Sequence, residues 1–202
     1  MWYVNLKSLR TKILFGYLLL LLITMMVSFW AIYNFMRLRE ATNNIMVENY
    51  RSVVAAENMV RALERQDSAE LMFLFNQQPE SFTIFIENEE RFLSWLNRAE
   101  DNITINQEGP LVESIRENYT GYLAMFPLLR ESYEKEGAET ARQFYFNEIL
   151  PQFERIKRNC QQLLEINQEA MVQANDFASG AARWATYSTA FVSTAAVILS
   201  LL

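Results

Sequence analysis

The 202-residue sequence contains no histidine, one cysteine, five glycines and four prolines. Without histidine there is no Ser-His-Asp triad, no His-x-x-x-His zinc site and no histidine phosphoacceptor within these residues. The Glu-x-x-His pairs of a di-iron bundle are missing as well. No catalytic residue, metal site or cofactor is expected here. A single cysteine forms no internal disulfide. Cys160, at helical spacing from Phe153, Ile156 and Leu163, reads as a packing residue. So few glycines and prolines cannot supply the turns of an all-β protein, whereas long helices need almost none. The expected fold class is all-α.

Hydrophobic residues, by contrast, are plentiful, at 51%. Residues 13–36 carry no charge and lie between Lys12 and Arg37. As a helix rising about 1.5 Å per residue, this segment exceeds a hydrocarbon core of about 30 Å. A cleaved signal peptide is the competing reading, but its apolar region is usually about 7–15 residues and ends in small residues. This one ends in Phe29-Trp30-Ala31-Ile32-Tyr33, and Trp30 and Tyr33 suit an interfacial aromatic belt. Residues 184–202 are also uncharged and read as a second transmembrane helix, after which the chain stops. The expectation is the front portion of a longer protein, cut inside or just after that span.

Lys7, Arg10 and Lys12 occur without an acid in residues 1–12, as in a cytoplasmic flank. Residues 37–182 hold 14 basic and 24 acidic side chains, which places the domain 37–183 outside the cytoplasm. Nucleic-acid binding rests on Lys and Arg neutralising phosphates, so so acidic a domain is no nucleic-acid partner.

Between the spans, apolar residues alternately three and four apart mark four inward helix faces. The first carries Met46, Asn49, Val53, Ala56, Val60, Leu63, Asp67, Glu70 and Leu74. The second carries Phe82, Phe85, Glu89, Phe92, Leu96, Ala99 and Ile103. The third carries Val112, Ile115, Tyr119, Tyr122, Phe126, Leu129 and Tyr133. The fourth carries Phe153, Ile156, Cys160, Leu163, Asn167, Ala170, Ala174, Phe177 and Ala181. Asn76-Gln77-Gln78-Pro79-Glu80, Glu108-Gly109-Pro110 and Lys135-Glu136-Gly137 are the expected turns. Four such faces joined by three short turns predict an antiparallel up-down-up-down four-helix bundle flanked by two transmembrane helices.

The inner helices are shorter than the outer two, which leaves residues 37–50 and 164–183 as a two-helix stem. A homodimer makes four helices of that stem. In the stem Ala170, Ala174, Ala178, Gly180 and Ala181, and in the second span Ala185, Thr189 and Ser193, allow close backbone approach and small sliding movements. Pro127 and Pro151 fall inside helices three and four, where each removes a backbone hydrogen bond and can bend the helix.

Asp67, Glu70 and Glu89 interrupt the apolar faces at similar height in the membrane-distal bundle. Unpaired burial is costly, and close like charges raise each other's pKa. Three readings follow: an internal network with Arg65, Arg142 or Arg130, solvated edge positions, or a ligand site for an amine or other cation. Arg61 and Arg65, four apart, can hold a carboxylate across a dimer, or simply pair with Glu57 and Glu64. Asn49 and Asn167 read as register-setting polar residues. The distal aromatics, Phe73, Phe85, Phe92, Tyr119, Tyr122 and Tyr145 among them, read as core or as pocket lining at the same height.

The run Glu48-Asn49-Tyr50-Arg51-Ser52-Val53, with Ala55-Ala56-Glu57-Asn58-Met59 and Arg61-Ala62-Leu63-Glu64-Arg65-Gln66-Asp67-Ser68-Ala69, resembles the input regions of bacterial sensor histidine kinases. Trp95 to Ile105 and Leu163-Leu164-Glu165-Ile166-Asn167-Gln168 resemble later stretches of the same group. The likeness implies a sensor domain between two spans of the bacterial inner (plasma) membrane. It also implies a HAMP linker, often a PAS domain, and a kinase core that signals to a response regulator, all outside this sequence. It brings no ligand residues. The stimulus, a small molecule or a protein, is unnamed. Chemoreceptors share this input architecture, and a non-signalling membrane-anchored scaffold is a third reading.

Overall fold

The computed structural model describes residues 9–76 and 79–201. Most of the expected cytoplasmic segment 1–12, residues 77–78 of the first expected turn, and Leu202 lie outside the described residues. The fold is all-α. Helix α1 spans Leu9–Asn76, α2 Glu80–Glu100, α3 Glu108–Leu123, α4 Met125–Glu136 and α5 Ala138–Phe144. A π turn at Tyr145–Ile149 leads into α6, Leu150–Leu201. Ile45–Val172 form one compact unit, and the described residues on both sides of it form the other.

In the Ile45–Val172 unit the helices pack by the expected inward faces. Leu63, Phe92, Leu96, Ile115, Tyr119, Tyr122, Phe126, Leu129, Ile156, Cys160 and Leu163 are all buried. Phe92 stacks on Tyr119 with ring centroids 3.7 Å apart, and Phe85 on Phe126 at 4.4 Å. Aromatic layers of this size dominate the energetics of a small core. Cys160 is buried and desolvation pushes its thiol up to about 12, so it is an inert packing group.

Side-chain hydrogen bonds fix the helix directions. Ser52 of α1 meets Asn102 just beyond α2, and Gln66 of α1 meets Phe85 near the start of α2, so these helices are antiparallel. Glu108, Ser114 and Asn118 meet Asn167, Asn159 and Gln152 in descending order, so α3 and α6 are antiparallel. Gln66 and Glu70 meet Tyr119 and Tyr122, so α1 and α3 run the same way.

Three expectations need correction. The third helix is two, α3 and α4, because Pro127 has no N–H for the Leu123 carbonyl, and α3 ends at Leu123. The fourth begins at Ala138, directly after the expected turn at Gly137. It accommodates Pro151 with a π turn in which the Leu150 N–H reaches back to Tyr145. Glu108-Gly109-Pro110 is the first turn of α3 rather than a connecting turn, since a first-turn proline loses an N–H that had no partner anyway. Met46, Phe82, Ile103 and Phe177 are exposed rather than inward. Gly137 is a true turn, with φ +92° and ψ 174°, a conformation that only glycine adopts freely.

In the other unit, Thr11–Tyr33 is the one segment among the described residues long and apolar enough to cross a membrane. Membrane anchors and signal sequences share that property. Its Leu14, Tyr17, Met26 and Phe29 side chains are each at least two-thirds exposed. The expected second span is not a second such segment among the described residues: Thr186, Ser188, Thr189, Ser193 and Thr194 are mixed with its apolar residues. Trp184 nonetheless packs edge-to-face on Trp30, with ring centroids 6.0 Å apart.

Candidate functional site

Polar side chains enter the bundle interior at two levels. The first is built on three buried or half-buried polar positions of α1, Gln66, Asp67 and Glu70. Glu70 lies four residues after Gln66 and three after Asp67, so it neighbours both on one side of the helix. Each meets a tyrosine. The Tyr119 hydroxyl donates to Gln66 Oε1 at 2.9 Å, and the Gln66 amide donates to the Phe85 carbonyl at 3.4 Å. The Tyr122 hydroxyl donates to Glu70 Oε2 at 2.9 Å, and the Tyr145 hydroxyl donates to Asp67 Oδ1 at 2.6 Å.

The tyrosines arrive from different elements for local reasons. Tyr119 and Tyr122 are three apart on α3 and present the same face. Tyr145 opens the π turn, whose extra residue alters the angular position of every side chain before it relative to those after it.

Glu70 is fully buried, and its Oε1 has no hydrogen-bond partner. Burial raises its pKa well above the ordinary glutamate value. The Tyr122 hydrogen bond opposes the rise and the Asp67 charge adds to it. Asp67 is also raised, chiefly by burial, against the Tyr145 hydrogen bond and the Lys157 charge. Lys157 is engaged by Glu64 at 2.9 Å, a pair that ties α6 to α1. The three tyrosines are pushed up, first by burial and also by the neighbouring carboxylates.

The arginines expected in this network stand elsewhere. Arg142 pairs with Glu139, Arg130 with Glu134 and Arg61 with Glu57, all on exposed helix faces, and Arg65 is exposed. The pairing of Arg61 with Glu57 is the ordinary surface alternative. Glu89 is half-buried on α2. Its charge reaches Tyr119, but among the described residues no hydrogen bond joins it to Asp67 or Glu70. The structure thus brings Asp67 and Glu70 together on tyrosines, not on guanidiniums. The tyrosines were visible in the sequence only as aromatics; the available signal was that each is a hydroxyl-bearing residue on a face that otherwise carries carboxylates. Among the described residues no group of acids, cysteines or histidines is arranged to hold a metal.

The second level closes the opposite end of the bundle. Glu108 Oε2 accepts from the Thr104 and Ile105 amides at 2.6 and 3.0 Å, and its Oε1 accepts from Asn167 at 2.8 Å. Thr104 Oγ1 donates to Asn49 Oδ1 at 3.0 Å, and Asn102 donates to the Glu48 carbonyl and to Ser52 Oγ. One chain of hydrogen bonds therefore runs from α1 through the 101–107 loop and α3 to α6. Asn49 and Asn167 are both buried members of this chain. Glu108 is the member that spacing did not single out, because it stands just before the apolar face of α3 begins.

A cleft of about 530 Å³ opens on the surface between α4 and the α5–π segment, lined by Leu128, Lys135, Gln143, Phe144 and Glu148 among others. It does not reach the buried carboxylates.

No protein-family model, curated protein or solved structure matches the chain. Its function has to be argued from its own chemistry.

Proposed function

We propose that the chain is the input module of a transmembrane signalling receptor, with the four-helix bundle outside the cytoplasm and helix movement as its output. The observation that carries this reading is the make-up of α1 and α6. Each is one uninterrupted helix that includes both a share of the bundle interior and an apolar segment, Thr11–Tyr33 in α1 and 184–201 in α6. An anchored enzyme or binding domain has no need to make its anchor and its core out of the same helix.

Residues 184–202 serve in this reading as the return crossing, supported by the absence of charge and by the Trp30–Trp184 contact. The acidic bundle and the basic start of the chain support the orientation. A stimulus acts by favouring one bundle packing over another, and shifts the equilibrium only by its differential affinity for the two. The likeness of residues 48–69, 95–105 and 163–168 to sensor histidine kinases favours a kinase output, homodimeric and directed at a response regulator. A chemoreceptor is the second reading, since it uses the same input architecture.

The test is a graft. Residues 1–202 joined to the cytoplasmic half of a receptor with a measurable output should give a membrane-inserted chimera whose output changes with the helical phase of the joint. A chimera that inserts and folds but has the same output at every phase contradicts the proposal.

A further inference from the structure

Among the described residues Glu70 is the one fully buried carboxylate that no Lys, Arg or backbone amide compensates. Among the described residues its only hydrogen bond is the one from Tyr122, to Oε2, and Oε1 has none. The other buried acid, Glu108, receives two amides and an asparagine. The charged and titratable groups acting on the Glu70 neighbourhood, among the described residues, are Asp67 and Glu64 on α1, Glu89 on α2, Tyr119 and Tyr122 on α3, Tyr145 on the π turn, and Glu154 and Lys157 on α6. One cation stands among them, and Glu64 holds it. Burial and the neighbouring Asp67 charge both disfavour an anion at Glu70, whereas a neutral carboxyl costs only an unmade hydrogen bond.

We propose that Glu70 is a proton-binding site, neutral in the packed bundle, and that its ionisation loosens the packing of α1 against α3 and the π turn. The ligand is the proton itself. Loss of the Oε1 proton to water leaves a carboxylate that needs water or a cation, and the bundle provides neither without opening. Tyr122 keeps donating to Oε2 throughout, and Asp67 keeps Tyr145. As a stimulus, the proton rests on the input-module reading above; as a site, it rests on the packing alone.

The folded state holds the Glu70 and Asp67 protons to higher pH than the unfolded chain does. The contribution to stability is therefore complete below the ordinary carboxylate range and lost as pH rises through the raised values, the reverse of an ion-paired acid. The experiment uses the 202-residue chain in lipid nanodiscs, with thermal unfolding followed by circular dichroism between about pH 5 and pH 8. The midpoint should fall as pH rises. Glu70→Gln, which keeps the shape and a neutral group, should fold and lose most of that slope, while Glu89→Gln should keep it. In parallel, infrared spectra at the acid end should show a neutral-carboxyl stretch that Glu70→Gln removes. A wild-type midpoint that is flat or rises with pH, or a stretch unchanged in Glu70→Gln, overturns the site. Output of the grafted receptor separates the two claims: a sloping midpoint with no pH response in an otherwise functional chimera leaves the proton site standing and denies it the role of stimulus.

Discussion

At the scale of single residues, the bundle interior is decided by which polar groups have partners. Tyr122→Phe removes the donor to Glu70 Oε2 and leaves a carboxyl with no hydrogen bond at all; a loss of about 1–3 kcal/mol is expected in denaturant unfolding. Phe92→Ala empties the stack against Tyr119 and should cost about 3–5 kcal/mol by the same measurement. By contrast, Arg142→Ala removes only an exposed pair with Glu139 and should stay within about 0.5 kcal/mol of the parent. The sequence makes Asp67 and Glu70 visible as acids on an apolar face, because a charge at an inward position stands out against its neighbours. It does not reveal their partners. A long arginine can reach inward from many positions, so spacing cannot say whether Arg65 or Arg142 does so. Tyrosine, counted as an aromatic, hides the hydroxyl that turned out to matter.

At the scale of elements, glycine and proline explain where the sequence reading succeeds and where it fails. Gly137 marks the α4–α5 turn because its φ of +92° with extended ψ is forbidden to other residues. Gly137→Ala should destabilise the chain by about 1–3 kcal/mol without changing its helix content by circular dichroism. Pro127 and Pro151 are recognisable as bends, but their consequences differ. One ends α3 at Leu123, and the other is absorbed by a π turn that carries Tyr145. A count of residues along an ideal helix cannot foresee the extra residue of a π turn, which begins at the Tyr145 that meets Asp67. The 101–107 loop was not legible in the sequence, which places the turn at Glu108-Gly109-Pro110. Its structure comes from Glu108, a carboxylate gathering two loop amides and Asn167. Glu108→Ala should therefore loosen the loop, read as faster amide exchange at Thr104 and Ile105, and lower stability by about 1–3 kcal/mol.

At the scale of the whole molecule, composition carried most of the reading. The absence of histidine, the scarcity of glycine and proline, and the uncharged segment near the start suffice for an all-α chain with an apolar helix. The second apolar segment was harder to judge, because hydroxyl-bearing residues dilute it and no charged residue follows it within the chain. Whether it crosses the membrane decides whether movement in the bundle can be felt in the cytoplasm. Thiol labelling in intact cells tests this most directly. With Cys160 replaced by serine, single cysteines at Lys7, at the exposed Glu90 and at Leu202 are each exposed to a membrane-impermeant maleimide. The account predicts labelling at position 90 in intact cells, and at positions 7 and 202 only after the membrane is permeabilised. Labelling at position 202 from outside, or none at position 90, would contradict it.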